Sequence, residues 1–261
     1  MKYCDLTFPS PAENLACDEA LFDLAEEKGN GEVLRIWEPA QYFVVVGYGN
    51  EVSKEVNAAF CKQNNIRILR RCTGGGTVLQ GPGVLNYSLI LSVEAATVLG
   101  TIAGANRFIM ERHRSALGDL SSAPVEVCGH TDLAIGGLKF SGNAQRRKKR
   151  CLLFHGSFLL QLDLELVEKV LPLPSKQPEY RHGRKHAEFL MNLKIGPAIL
   201  KEALMKAWKA EEPHVEIPFD EIGLLAREKY SRDDWNLRFA KTIEGGRCGE
   251  GGVENHDAGG N

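Results

Sequence analysis

Two strand-like runs, Thr131–Ile135 (TDLAI) and Leu138–Gln145 (LKFSGNAQ), flank Gly136 and Gly137. A Gly-Gly link between such runs predicts an antiparallel hairpin, because tight hairpin turns need positive φ at their central residues. A doubly wound parallel sheet has no place for this unit. Further strands are predicted at EVLRIW and YFVVVGYG, joined by EPAQ, and at NIRILRR, VLNYSLIL and CLLFHGSFLLQL. Helical signals are interspersed. Ser10-Pro11-Ala12-Glu13 predicts an N-cap, a first-turn proline and a capping box for a helix running down to Asn30. A short helix is expected over Lys54–Gln63, and helical spacing over 95–120 points Val98, Ile102, Phe108 and Ile109 inward. LELVEKVL, AILKEALMKAWKA and FDEIGLLAREKY complete the set. This mixture predicts an α+β protein with a mixed, largely antiparallel sheet and flanking helices.

The 261 residues divide by pattern into a core over 1–190 and C-terminal helices over 191–240 that complete it. Residues 241–261 hold seven glycines and few apolar side chains, so they are expected to lack defined structure. A net charge of −2 supplies no global field for nucleic acid. No apolar run approaches the roughly 18 residues a membrane span needs, and MKYCDLTFPSP lacks a signal-peptide core. A cytoplasmic protein is expected. The seven cysteines form no CxxC pair, which predicts reduced thiols and no structural metal site. His182 and His186, four apart in HGRKH, read as a solvated or loop-edge segment.

Three stretches carry chemistry. Gly74, Gly75 and Gly76 follow directly on the strand that delivers Arg70 and Arg71. Three glycines are costly to order unless the backbone must bend sharply or approach a ligand, and neighbouring guanidinium groups make that ligand an anion. Alternation places the two arginines on opposite faces, so one faces the pocket and the other forms an ion pair. In the second stretch Lys139 stands between Leu138 and Phe140, with small Ser141, Gly142 and Ala144 leaving room beside its ammonium. Such a lysine can stabilise developing negative charge. The third is His155-Gly156-Ser157, where the glycine lets a substrate approach the backbone.

These stretches, with NLACDEAL, LRIWEP, VVVGYGN, HGSFLL, LPLPSKQPEYR and DDWNLRF, resemble in the same order the lipoate–protein ligase family. That family lies within the biotin/lipoate ligase and octanoyltransferase superfamily, and the likeness spans roughly 1–240. The resemblance implies a class II aminoacyl-tRNA synthetase/biotin ligase-like catalytic domain. It also implies activation of lipoate or octanoate with ATP and Mg²⁺ to an acyl-adenylate, then transfer to a lysine of a lipoyl-domain acceptor. By motif, Lys139 is the central catalytic lysine. Arg71, Gly76, Thr77, Val78, Leu79 and Asp132 match nucleotide or phosphate positions, with Asp132 also a place for Mg²⁺. Arg70, Gly74, Gly75, His155 and Gly156 match the acyl pocket. The chain departs from the family at His130 and Thr131 and lacks its extra C-terminal domain, which admits a separate accessory subunit. Arg146–Arg150 reads as a solvated hairpin turn or a docking surface for an acidic acceptor domain. Two alternatives stay open: a transferase without ATP that forms a thioester on Cys128, and a binding protein that does not catalyse.

Overall fold

The computed structural model describes residues 1–29, 31–94 and 97–239; the glycine-rich 241–261 stretch lies outside the described residues. Among the described residues, eleven strands form two sheets. They are β1 (Lys2–Asp5), β2 (Val33–Trp37), β3 (Phe43–Val46), β4 (Arg67–Arg70), β5 (Val78–Gln80), β6 (Val84–Ser92), β7 (Glu126–Cys128), β8 (Asp132–Ile135), β9 (Leu138–Arg147), β10 (Cys151–Leu159) and β11 (Glu212–Pro213). The large sheet has the order β11-β1-β2-β6-β10-β9-β8-β7 and the small one β4-β3-β5. Only the β11-β1-β2 edge of the large sheet is parallel; every other pairing in it is antiparallel. The architecture is α+β with a mixed, mostly antiparallel sheet, as the hairpin signal requires.

Consecutive strands β2 and β3, joined by the EPAQ link, part company here: β2 enters the large sheet and β3 the centre of the small one. The cleft between the sheets is the consequence. Both faces of the large sheet are covered. Leu34 and Ile36 of β2, with Leu152 and Phe154 of β10, pack toward helices α4 (Ile102–Gly118) and α7 (Pro197–Trp208). Val33 and Trp37, with Leu153, pack toward α1 (Pro11–Lys28) and α8 (Phe219–Leu225). Each fully buried Leu or Phe contributes about 1.5–3 kcal/mol. On this second face, β10 changes from Cys151 and Leu153 to His155 and Ser157. With Arg35, which lies between Val33 and Trp37 on the same face of β2, His155 and Ser157 form a polar patch within this layer.

Local differences from the sequence reading have local causes. Ser10 makes no side-chain cap; Asn14 closes the start of α1 instead, accepting from Phe8 N at 3.0 Å and donating to the Phe8 carbonyl at 2.7 Å. The helix expected over Lys54–Gln63 is two short pieces, because Asn57 N-caps the second through Phe60 N. Ile109 is buried, but Ile102 in the first turn of α4 is 60% exposed. His186 is buried with Nε2 3.2 Å from the Pro172 carbonyl, and His182 alone is solvated.

Candidate active site

Gly136 and Gly137 turn the hairpin with φ of 57° and 75°. Immediately beyond, the β8–β9 register slips, Leu133 facing Ser141 and Ala134 facing Lys139. This bulge shifts the phase of β9 by one residue. The Lys139 stem consequently lies across Gly142, where a Cβ would stand 2.8 Å from both Cε and Nζ. Lys139 Nζ meets Asp132 Oδ1 at 2.8 Å, and Tyr180 donates its hydroxyl to Asp132 Oδ2 at 2.8 Å. Burial, then the Asp132 charge, raises the Tyr180 phenol, so it stays a donor. The lysine is only 25% exposed and its partner 14%. The Lys139 ammonium is thus fixed rather than free.

Arg70 and Arg71 diverge as alternation requires. Arg70 turns away from the cleft. Its guanidinium donates to the carbonyls of Gly47, Tyr48 and Asn50 on one side and of Trp235 and Arg238 on the other. It does not line the cavity described below, although the resemblance matched it to an acyl pocket, and carbonyls 165 or more positions downstream replace the ion pair expected of it. Arg71 grips the glycine loop. It donates Nη2 to the Gly76 carbonyl at 2.7 Å and to the Gly74 carbonyl at 2.5 Å, and Nε to Thr73 Oγ1 at 3.0 Å. Burial lowers it to about 10, still cationic at neutral pH. The Thr73 carbonyl accepts from Tyr48 N at 2.8 Å and the Gly75 carbonyl from Asn50 Nδ2 at 3.1 Å. All four carbonyls are tied back. The amide N–H groups of Gly74, Gly75 and Gly76 have no protein acceptor among the described residues. A loop with its acceptors used and its donors free is an anion nest.

A cavity of about 530 Å³ runs between these elements. Of the residues singled out from sequence, Arg71, Gly76, Thr77, Val78, Leu79, Asp132, Lys139, His155 and Gly156 line it. Gly74 and Gly75 stand exposed beside Gly76 and do not. His130 and Thr131, the departing positions, both line it. Thr131 is anchored by donating Oγ1 to the Asn143 carbonyl at 3.0 Å. Asn143 in turn accepts from the Tyr87 hydroxyl at 2.6 Å, an arrangement that Gly156 permits because its missing Cβ would collide with Asn143 Oδ1. His155 Nδ1 lies 3.2 Å from Asp18 Oδ2 and Nε2 lies 2.7 Å from Thr73 Oγ1. Arg35 donates to Asp18 Oδ1 at 2.5 Å, with both groups buried. Burial raises the Asp18 carboxyl, but Arg35 and His155 outweigh it and hold it below its ordinary value.

Asp18, Arg35, Thr73, Tyr180 and Asn143 were missed from sequence. A signal existed for the first two: Asp18 interrupts the apolar stripe of α1, and Arg35 interrupts the apolar run of β2. Two buried opposite charges in separate elements are paired or the fold pays for them. The basic run has a similar account. Arg146 meets Glu19 at 3.0 Å, Lys148 meets Asp23 at 2.6 Å, and Glu26 accepts from the backbone of Arg150 and Cys151. Glu19, Asp23 and Glu26 follow helical spacing, so the run docks on α1 of its own chain. Cys128 ends β7 opposite Asp132 and is absent from the cavity wall. Burial, then Glu126 and Asp132, raise its thiol, which disfavours the thiolate.

The family described as lipoyl protein ligase A/B catalytic domain matches residues 10–207. Octanoyltransferase LipM of Bacillus subtilis is 30% identical, over 91% of this chain and 98% of its own. Lipoate-protein ligase A subunit 1 of Thermoplasma acidophilum is 27% identical over 86% and 91%. A crystal structure of lipoate-protein ligase A bound with ATP superposes with a TM-score of 0.76 at 25% identity, covering 91% of this chain and 98% of that one.

Proposed function

The chain belongs to the lipoyl protein ligase A/B catalytic domain family, and from that premise we propose that it is a lipoate–protein ligase. It activates lipoate or octanoate with ATP and passes the acyl group to a lysine of a small lipoyl-type acceptor domain. The observation that carries this reading is that one cavity is lined both by the Lys139 ammonium and by Arg71 and Gly76, the inner end of a glycine loop with every carbonyl tied back. A carboxylate and a triphosphate repel each other, and a wall of this kind lowers that barrier while confinement supplies proximity. In the first step a carboxylate oxygen attacks the α-phosphorus and pyrophosphate leaves. In the second the acceptor amine attacks the acyl carbonyl, AMP leaves and the nitrogen loses a proton. Lys139 acts by charge. The apolar wall, with Leu15, Val45 and Leu159, buries the acyl chain at about 0.8 kcal/mol per CH₂ and keeps water from a hydrolysis-prone intermediate.

Magnesium would arrive on the triphosphate. Among the described residues no three His, Cys, Asp or Glu side chains converge into a cage, which fits a cation carried on phosphate oxygens, and Asp132 beside Lys139 would join its shell. The relative named as a ligase subunit supports a second chain as partner. Among the described residues no helix is long and apolar enough to cross a membrane, and an odd count of seven cysteines without a CxxC pair favours a cytoplasmic site of action.

A second reading, octanoyl transfer through a thioester without ATP, is favoured by the similarity to LipM. The raised Cys128 thiol and its place off the cavity wall weigh against it. Exchange of labelled pyrophosphate into ATP, dependent on lipoate or octanoate, tests the ligase directly. No exchange, with octanoyl transfer from a carrier protein that Cys128→Ala abolishes, would replace the first reading with the second. Candidate second subunits belong in both assays.

A further inference from the structure

We propose that Asp18 and Thr73 are positioning residues, which hold His155 with its proton on Nδ1 and lock the grip of Arg71 on the glycine loop. This deepens the nucleotide-binding reading and rests on it. Arg71 Nε can only donate, so Thr73 Oγ1, 3.0 Å away, accepts from it. The Thr73 hydroxyl then has one hydrogen to give, and His155 Nε2 stands 2.7 Å away. That contact requires a bare Nε2. The ring proton therefore sits on Nδ1, 3.2 Å from Asp18 Oδ2, and the carboxylate accepts it. Arg35, buried and 2.5 Å from the other oxygen, keeps the carboxylate ionised and in place. All the donors then run one way, from Arg71 through Thr73 and His155 to Asp18.

The reverse arrangement fails on count. A proton on Nε2 would give Thr73 Oγ1 two incoming donors, leave its own hydrogen without a partner, and turn the Nδ1 lone pair toward a carboxylate. Thr73 is 1% exposed, so water cannot make up the loss. The line joins α1, β2, the glycine loop and β10, and its first link sets the guanidinium that holds the Gly74 and Gly76 carbonyls. His155 is thus a strut whose proton is assigned by Asp18, and the free amides of the glycine loop depend on it.

Ring-nitrogen NMR of the ligand-free protein at neutral pH reads the tautomer. Nε2 is expected to resonate as the unprotonated nitrogen. Thr73→Val, which keeps the side-chain shape and removes the hydroxyl, should shift the ring to a mixture of tautomers and raise KM for ATP about tenfold. kcat should change much less, and Thr73→Ser should restore both readouts. A proton on Nε2 in the wild type overturns the proposal. So does a Thr73→Val protein with wild-type ring shifts and KM. A wild type that turns over without ATP removes the ligase reading instead, and the ring shifts of the free protein still decide the tautomer.

Discussion

Gly142→Ala is the sharpest perturbation this site offers, because it moves the Lys139 ammonium, proposed to be catalytic, without removing any charge. The new Cβ would lie 2.8 Å from Lys139 Cε and Nζ, and ordinary contact begins near 3.4 Å, so the end of the lysine must retreat by about 0.6 Å. The obstacle is the far end of a flexible side chain, and the Asp132 oxygen at 3.6 Å is not crowded. The fold should absorb the methyl. Gly142 has no left-handed φ, so the substitution should leave the melting temperature unchanged or raise it slightly, by about 0.4–1 kcal/mol of stability. Activity should move the other way. Misplacing a catalytic group by about 1 Å costs on the order of a hundredfold, so a shift of this size is expected to lower pyrophosphate exchange by about ten- to thirtyfold. On a Lys139→Ala background the same substitution should have no further effect on exchange, since the group it displaces is gone. Full exchange activity in Gly142→Ala would refute the positioning argument, and a large fall in melting temperature would show that the methyl meets something stiffer than the lysine.

Lys139→Ala should abolish exchange while thermal melting stays close to wild type, because the pair it breaks with Asp132 is partly exposed; retained exchange would contradict the assignment. Arg70→Lys should lower stability by several kcal/mol in a denaturant titration, since a lysine cannot reach the carbonyls now bound on two sides and leaves some buried without partners. The acid limb of the stability curve should be steep. His113 is fully buried, its pKa pressed down to about 3 by burial and then by Arg112, so the unfolded chain takes up a proton first. Stability then falls by about 1.4 kcal/mol per pH unit as pH drops from about 6.5 toward that value. His113→Gln, which can keep an acceptor for Trp208 Nε1 now 2.8 Å from His113 Nε2, should flatten that limb in melts followed against pH.

Hairpin, glycine loop and lysine were legible because each leaves a short-range mark: a Gly pair in a turn, a Gly triplet after a strand, a cation among small residues. The same logic correctly separated Arg70 from Arg71 by alternation. It could not say what Arg70 binds, since its partners are backbone carbonyls and a backbone carbonyl has no letter in the sequence. The exclusion of a parallel doubly wound sheet followed from one turn. The parting of β2 and β3 did not, because a short link between two apolar runs looks the same whether the strands pair or enter different sheets. Tyr180 was invisible for a further reason: its hydroxyl reaches Asp132 from a segment of 3-10 helix and turns, 48 positions away, where no periodicity marks an inward side chain. The docking role entertained for Arg146–Arg150 loses two of the run's five charges, Arg146 and Lys148, to the acidic face of α1, a match apparent only when helix and hairpin are brought side by side.

The anchoring of Arg70 has a consequence for biogenesis. Its guanidinium spans the Gly47–Asn50 bend and the carbonyls of Trp235 and Arg238, and Trp235 Nε1 returns a bond to the Arg70 carbonyl at 2.8 Å. During synthesis the strand next to the glycine loop is made first and its clasp follows 165 or more positions later. A nascent polypeptide stalled before Trp235 would carry every residue of the cavity wall and still lack the brace that fixes it, so catalytic competence should appear abruptly once Trp235 and Arg238 have emerged rather than grow with chain length.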